Sequence, residues 1–204
     1  MKFSVFFHSI LLGIFCLLPG ISSAQEQTIL IFGDSLSAAY GIPREAGWVS
    51  LLQQELQRSH PQYQVVNASL SGETTSGGRQ RIAAALRQYR PAIILLELGA
   101  NDGLRGTPIA SIEANLKSLI EQSRSSQVKV LLLGMQLPPN YGEEYTAKFK
   151  SLYSKLAQQH HVAWVPFLLD GITTEQFQAD RLHPTAAAQE KILRTVLKQL
   201  KPLL

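Results

Sequence analysis

The sequence predicts an α/β protein: a five-stranded parallel sheet with helices on both faces. Five short apolar runs, often β-branched, recur along the chain, and segments with helical spacing of apolar residues separate them. Strands that alternate with helices pair in parallel, and both faces of such a sheet are covered. No repeat, low-complexity block or Gly/Ser linker divides the chain, so residues 25–204 are expected to form one domain.

The strands are expected at residues 28–32, 63–67, 92–98, 129–135 and 161–165. The third holds Ile93-Ile94-Leu95-Leu96, the most continuous apolar stretch, and is expected at the centre of the sheet. Helices are expected over 48–58, 78–89, 109–121, 144–159 and 184–200, where apolar residues return every three or four positions, as at Ile112, Leu116, Leu119 and Ile120. Gly77-Gly78-Arg79 reads as a turn entering the second helix. Pro184 suits the first turn of the last helix, where its missing N–H loses no bond.

The first residues do not belong to this pattern. Lys2 precedes an apolar stretch over 3–18, then Pro19, Gly20 and the small residues Ser22-Ser23-Ala24. That is a secretory signal peptide over residues 1–24, cleaved after Ala24; its core is shorter than the ~20 residues a bilayer span needs. The expected location is periplasmic or secreted. Cys16 is the one cysteine, so the mature chain has no disulfide and its core must stabilise it. With 19 Lys+Arg against 15 Asp+Glu scattered over helices, the charge reads as solvated surface and not as a nucleic-acid footprint. No metal or other cofactor is expected: adjacent His160-His161 lack companion ligands, and no phosphate-cradling Gly-x-x-x-x-Gly-Lys loop occurs.

Four polar clusters stand out: Gly33-Asp34-Ser35-Leu36, Ser71-Gly72-Glu73, Gly99-Ala100-Asn101-Asp102 and Asp180-Arg181-Leu182-His183. Three follow directly on predicted strands, where parallel sheets build ligand sites. A serine becomes a nucleophile only beside a base, and the base needs an orienting acid. His60, His160 and His161 fall at predicted helix ends, where an imidazole suits the dipole; His183 remains. Asp180, three residues before it, can reach its ring, and Asp170 is a less compact substitute. Ser35 is the candidate nucleophile, with Gly33 letting the backbone turn and Asp34 tying down the loop. An oxyanion needs convergent N–H donors, which the Ser35 and Gly72 backbones and the Asn101 amide can supply. Singly, each cluster is also an ordinary turn.

Together these residues resemble the SGNH, or GDSL-type, hydrolases, whose namesake Ser, Gly, Asn and His would here be Ser35, Gly72, Asn101 and His183, with Asp180 completing the triad. Residues 33–40, 67–72, 97–106 and 137–142 look more narrowly like the bacterial thioesterase/lysophospholipase/arylesterase subgroup, which is typically exported to the periplasm. The resemblance implies a three-layer α/β/α flavodoxin-like fold and an acyl-serine mechanism on thioesters, lysophospholipids or aryl esters. It also implies that the loop over 136–142 moves and lines an acyl groove through Leu137, Pro138, Pro139, Asn140 and Tyr141. Ala39 departs from the glycine of many relatives, and the stretch 171–178 matches weakly. The expected partners are a small-molecule acyl ester or thioester and, transiently, membrane lipid, with the protein a monomer. Two other readings remain: a carbohydrate O-acetylesterase of the same family, and a non-catalytic lipid- or glycan-binding protein on this scaffold.

Overall fold

A computed structural model describes Met1 and residues 26–204; the expected signal peptide and its cleavage point lie outside the described residues. Five strands, β1 (Gln27–Gly33), β2 (Tyr63–Asn67), β3 (Ile93–Glu97), β4 (Lys129–Leu133) and β5 (Ala163–Val165), form one parallel sheet in the order β2-β1-β3-β4-β5. β3 is central, as its composition predicts, and all five of its residues are buried. That order puts the topological switch between β1 and β3, after which the chain connections run to opposite faces of the sheet and leave a crevice open to a ligand.

The helices are α1 (Trp48–Ser59), α2 (Thr75–Tyr89), α3 (Ala100–Leu104), α4 (Ile109–Ser125), α5 (Glu143–His160) and α6 (Gln189–Leu200). α1 packs with α6 on one face of the sheet, and α4 packs between α2 and α5 on the other. Amphipathic stripes explain the arrangement: α4 buries Ile112, Leu116, Leu119 and Ile120, and α6 buries Ile192, Leu193, Val196 and Leu200. Between the layers lies a continuous core that includes Phe32, Trp48, Phe149 and Tyr153. The N-terminus of α1 is closed from the other end of the chain, where the buried Gln189 Oε1 accepts the Trp48 N–H at 3.0 Å.

Three local expectations are corrected. α2 begins at Thr75, so Gly77-Gly78-Arg79 lies inside it; Thr74 caps the helix by accepting the Gly77 N–H at 3.2 Å. α6 begins at Gln189, after a 3₁₀ turn over Ala186–Ala188. Pro184 instead faces Phe177 in an antiparallel bridge, which draws residues 177–184 back over the sheet edge. The five-residue α3 was not expected at all. His60 and His161 cap the C-termini of α1 and α5, and His160 ends α5, matching their reading as helix-end residues. Among the described residues no helix is long and apolar enough to cross a membrane.

Candidate active site

Ser35 stands in the tight loop after β1. The loop is held from beneath by two acids. Asp34 Oδ1 accepts the Leu36 N–H at 3.0 Å and Oδ2 accepts from Asn101 Nδ2 at 3.0 Å, so the aspartate does tie down this segment. Glu97, at the end of β3, is fully buried; its Oε2 accepts the Asp34 N–H at 3.1 Å and the Ser37 hydroxyl at 2.8 Å. Gly33 has a different purpose from the one its sequence position suggests. It lies in the strand opposite Glu97 without a positive φ, and a Cβ there would sit 2.6 Å from Glu97 Oε2. Glycine is required by the close approach of the acid.

Burial raises both carboxyls. Loss of water pushes Asp34 up to about 6 against the lowering pull of its hydrogen bonds and of His183. Desolvation, then the neighbouring Asp34 charge, lifts Glu97 well above the usual carboxylate range.

After β5 the chain folds back so that Asp180 and His183 reach the same crevice. Asp180 Oδ1 accepts the Leu182 and His183 N–H groups at 2.9 and 3.0 Å, which shapes the turn, while Oδ2 meets His183 Nδ1 at 2.6 Å. Desolvation alone would raise the Asp180 pKa, but the His183 N–H, its imidazole and the Leu182 N–H outweigh it and hold the carboxyl at about 2. An ionised carboxylate only accepts, so in a neutral imidazole Nδ1 carries the proton and Nε2 presents a lone pair. That lone pair faces Ser35 Oγ at 2.8 Å. Tyr40 lies against the imidazole, with ring centroids 4.5 Å apart. Gln178 joins the two loops by donating to the Tyr40 and Pro184 carbonyls at 2.9 and 3.1 Å. Asp170 is exposed and makes no hydrogen bond with His183.

Three N–H donors border the space beside Ser35. Neither the Ser35 nor the Gly72 N–H has an acceptor among the described residues. Gly72 adopts φ +79° with open space around its Cα, so backbone conformation dictates the glycine. Asn101, in the first turn of α3, donates from Nδ2 to Asp34 Oδ2 and to the Glu73 carbonyl, both at 3.0 Å. Both amide hydrogens are therefore engaged at rest, and an oxyanion would share one of them. The segment after Gly72 is anchored by Glu73, paired with Arg81 Nε at 2.5 Å, and by Arg81 stacked 3.8 Å over the Phe32 ring. Thr75 fixes α2 to α3 by bonding both Asp102 carboxylate oxygens at 2.8 and 2.7 Å.

The serine and histidine open into a groove of about 400 Å³. Leu137 and Pro138 line it; Pro139, Asn140 and Tyr141 form a 3₁₀ turn and are not among its walls. The remaining apolar wall comes from residues the sequence reading did not assign: Leu104, Met135, Phe167, Leu169 and Phe177. Met135 is recognisable in hindsight as the apolar end of the fourth strand run. Phe167, Leu169 and Phe177 lie in the long loop after β5, where no periodicity marks them. Among the described residues no three or more His, Cys, Asp or Glu side chains cluster to hold a metal.

Residues 31–191 match the GDSL-like lipase/acylhydrolase family. The chain belongs to that family. Esterase TesA of Pseudomonas aeruginosa is 46% identical over 197 residues, 96% of this chain and 98% of its own. The arylesterase of Vibrio mimicus is 40% identical, over 93% of this chain and 95% of its own. Thioesterase 1/protease 1/lysophospholipase L1 of Escherichia coli strain K12 is 37% identical over 100% of this chain and 97% of its own. A crystal structure of TesA matches the fold with a TM-score of 0.85 at 48% identity, covering 87% of this chain and all of that one. GDSL-like membership and these relatives make the chain an ester hydrolase.

Proposed function

We propose that Ser35 attacks the acyl carbonyl of a carboxylic ester or thioester, giving an acyl-serine that water then hydrolyses. His183 Nε2 takes the serine proton and delivers it to the leaving group; Asp180 fixes the tautomer and stabilises the imidazolium. The Ser35 and Gly72 N–H groups and the Asn101 amide hold the oxyanion. The observation that carries this reading is the unbroken line from Asp180 Oδ2 through His183 to Ser35 Oγ at 2.6 and 2.8 Å, ending at an apolar groove.

The groove supports substrates with an acyl chain, and the names of the relatives support thioesters, lysophospholipids and aryl esters as its range, acyl-CoA-type thioesters being the thioester class proposed. The mature protein is a single domain over 25–204, exported by residues 1–24, working as a monomer. Transient lipid contact is supported by Tyr40, Leu70 and Leu182, exposed large apolar side chains at or beside the groove mouth. The test is a series of ester and thioester chain lengths with Ser35→Ala as blank. Four extra methylenes at about 0.8 kcal/mol each give about 3 kcal/mol, more than a hundredfold in kcat/KM. A flat or falling series from acetyl to octanoyl would favour an O-acetylesterase, and unchanged turnover in Ser35→Ala would end the serine mechanism. Failure of Ser35 to react with a fluorophosphonate would point to a binding protein.

A further inference from the structure

Glu97 is the one charged residue of β3 and makes no contact with the groove. It grips both sides of the nucleophile: Oε2 receives the N–H of Asp34, the residue before Ser35, and the hydroxyl of Ser37, two residues beyond it. Oε1 receives no donor, although it is buried. Asp34 acts on Glu97 as a like charge, and the unpartnered Oε1 leaves a negative charge there without compensation. Asp34 is in turn the acceptor that holds the Asn101 amide.

We propose that Glu97 is a positioning residue held as a neutral carboxylic acid: through Oε2 it anchors the Asp34 N–H and the Ser37 hydroxyl, and so keeps in register the Ser35 loop and the ionised Asp34 that holds the Asn101 amide. The proposal rests on the serine mechanism above and adds the device that aims its oxyanion donor. The donor pattern argues for this placement of the proton. Asp34 accepts from two donors, Leu36 N–H and Asn101 Nδ2, and faces His183, all of which favour its charge. Glu97 faces Asp34 and the buried Tyr153 of α5, whose hydroxyl is turned to the Leu98 carbonyl, so among the described residues no donor supports a charge on Oε1. An ionised Glu97 would place two negative charges side by side in the core.

The test compares Glu97→Gln with Glu97→Leu in the mature protein. A glutamine matches an uncharged acid in shape and acceptor: its oxygen accepts from the Asp34 N–H and the Ser37 hydroxyl, and it brings no charge. Glu97→Gln is expected to keep kcat within about tenfold of the parent. Glu97→Leu, which frees Asp34 and with it Asn101, is expected to lose about 10² in kcat with KM little changed, the scale of a lost oxyanion donor. A purely structural acid would lower the folded fraction without that kcat-selective loss. The infrared spectrum of the parent at neutral pH should contain the C=O stretch of a protonated carboxyl group that is missing in Glu97→Gln. Glu97→Gln as impaired as Glu97→Leu, or no such band, overturns the proposal even if the leucine variant fails to fold. The band is read without turnover, so failure of the serine mechanism, seen in Ser35→Ala, is distinguished from failure of the carboxyl pair.

Discussion

Asp180→Asn offers the sharpest test of the acid assigned to His183. Asp180 now accepts three bonds, two from backbone N–H groups through Oδ1 and one from the imidazole through Oδ2. An asparagine has one acceptor oxygen. If that oxygen stays on the Leu182 and His183 N–H groups, the NH₂ faces Nδ1, which must then give up its proton; Nε2 becomes a donor and no longer accepts from Ser35. Flipping the amide restores the tautomer but loses two backbone bonds, about 1 to 3 kcal/mol at 0.5 to 1.5 each. Loss of the charged acceptor removes about another 1.5 to 3 kcal/mol from the imidazolium. The sum, about 2.5 to 6 kcal/mol, corresponds to a fall of about 10² to 10⁴ in kcat. Steady-state hydrolysis of an aryl ester, with circular dichroism to verify the fold, measures it. Asp170→Asn, the alternative acid, should stay within about twofold of the parent because it does not touch His183. A folded Asp180→Asn within tenfold of the parent, or a large loss in Asp170→Asn, would refute the assignment.

Leu137→Ala opens a groove wall, so kcat/KM for an octanoyl ester should fall about fivefold, the value of about 1 kcal/mol of lost apolar contact, while an acetyl ester is unaffected; equal losses on both would place Leu137 outside the acyl path. Ala39 carries φ +60°, so Ala39→Gly should stabilise the fold by roughly 0.5 to 1 kcal/mol once the cost of glycine flexibility is subtracted, and a lowered Tm would show that the loop relaxes instead. The raised carboxyls make the folded state hold more protons than the unfolded chain above pH 4, so stability should decline as pH rises through about 6 and beyond. Asp180 acts oppositely, its contribution being lost only as pH falls from about 4 towards 2. Urea unfolding at pH 5 and pH 8 should show a smaller decline for Glu97→Gln than for the parent, and identical declines would count against a proton on Glu97.

What the sequence made legible was local. Five apolar runs located five strands because strands covered on both faces need apolar residues throughout, and Asp180 and His183 could be paired because three residues separate them. Features set by the returning chain were not legible. Phe177 reaches the groove because residues 177–184 fold back into a bridge with Pro184, a contact no periodicity announces. α3 has five residues and no apolar stripe, too little for a helical pattern to show. Glu97 did leave a signal, a lone acid inside an apolar strand, but the spacing of β3 does not say which residue of β1 it faces.

The β1–β3 register supplies that missing information and changes the meaning of the first motif. Gly33 pairs with Glu97, and the glycine leaves room for a carboxyl that no larger residue would admit. Because the chain segments after β1 and β3 diverge at the switch point, Ser35 follows one strand and Asn101 the other. The proposed nucleophile and the proposed oxyanion donor, 66 residues apart, are thus joined through Asp34 Oδ2 at 3.0 Å, with Glu97 beneath both. The acid at the strand end therefore couples the two loops across the crevice where a ligand must enter. An apolar, well-packed side chain at position 97 would satisfy the sheet; the hydrogen bonds from Asp34 and Ser37 are what the Ser35 loop requires.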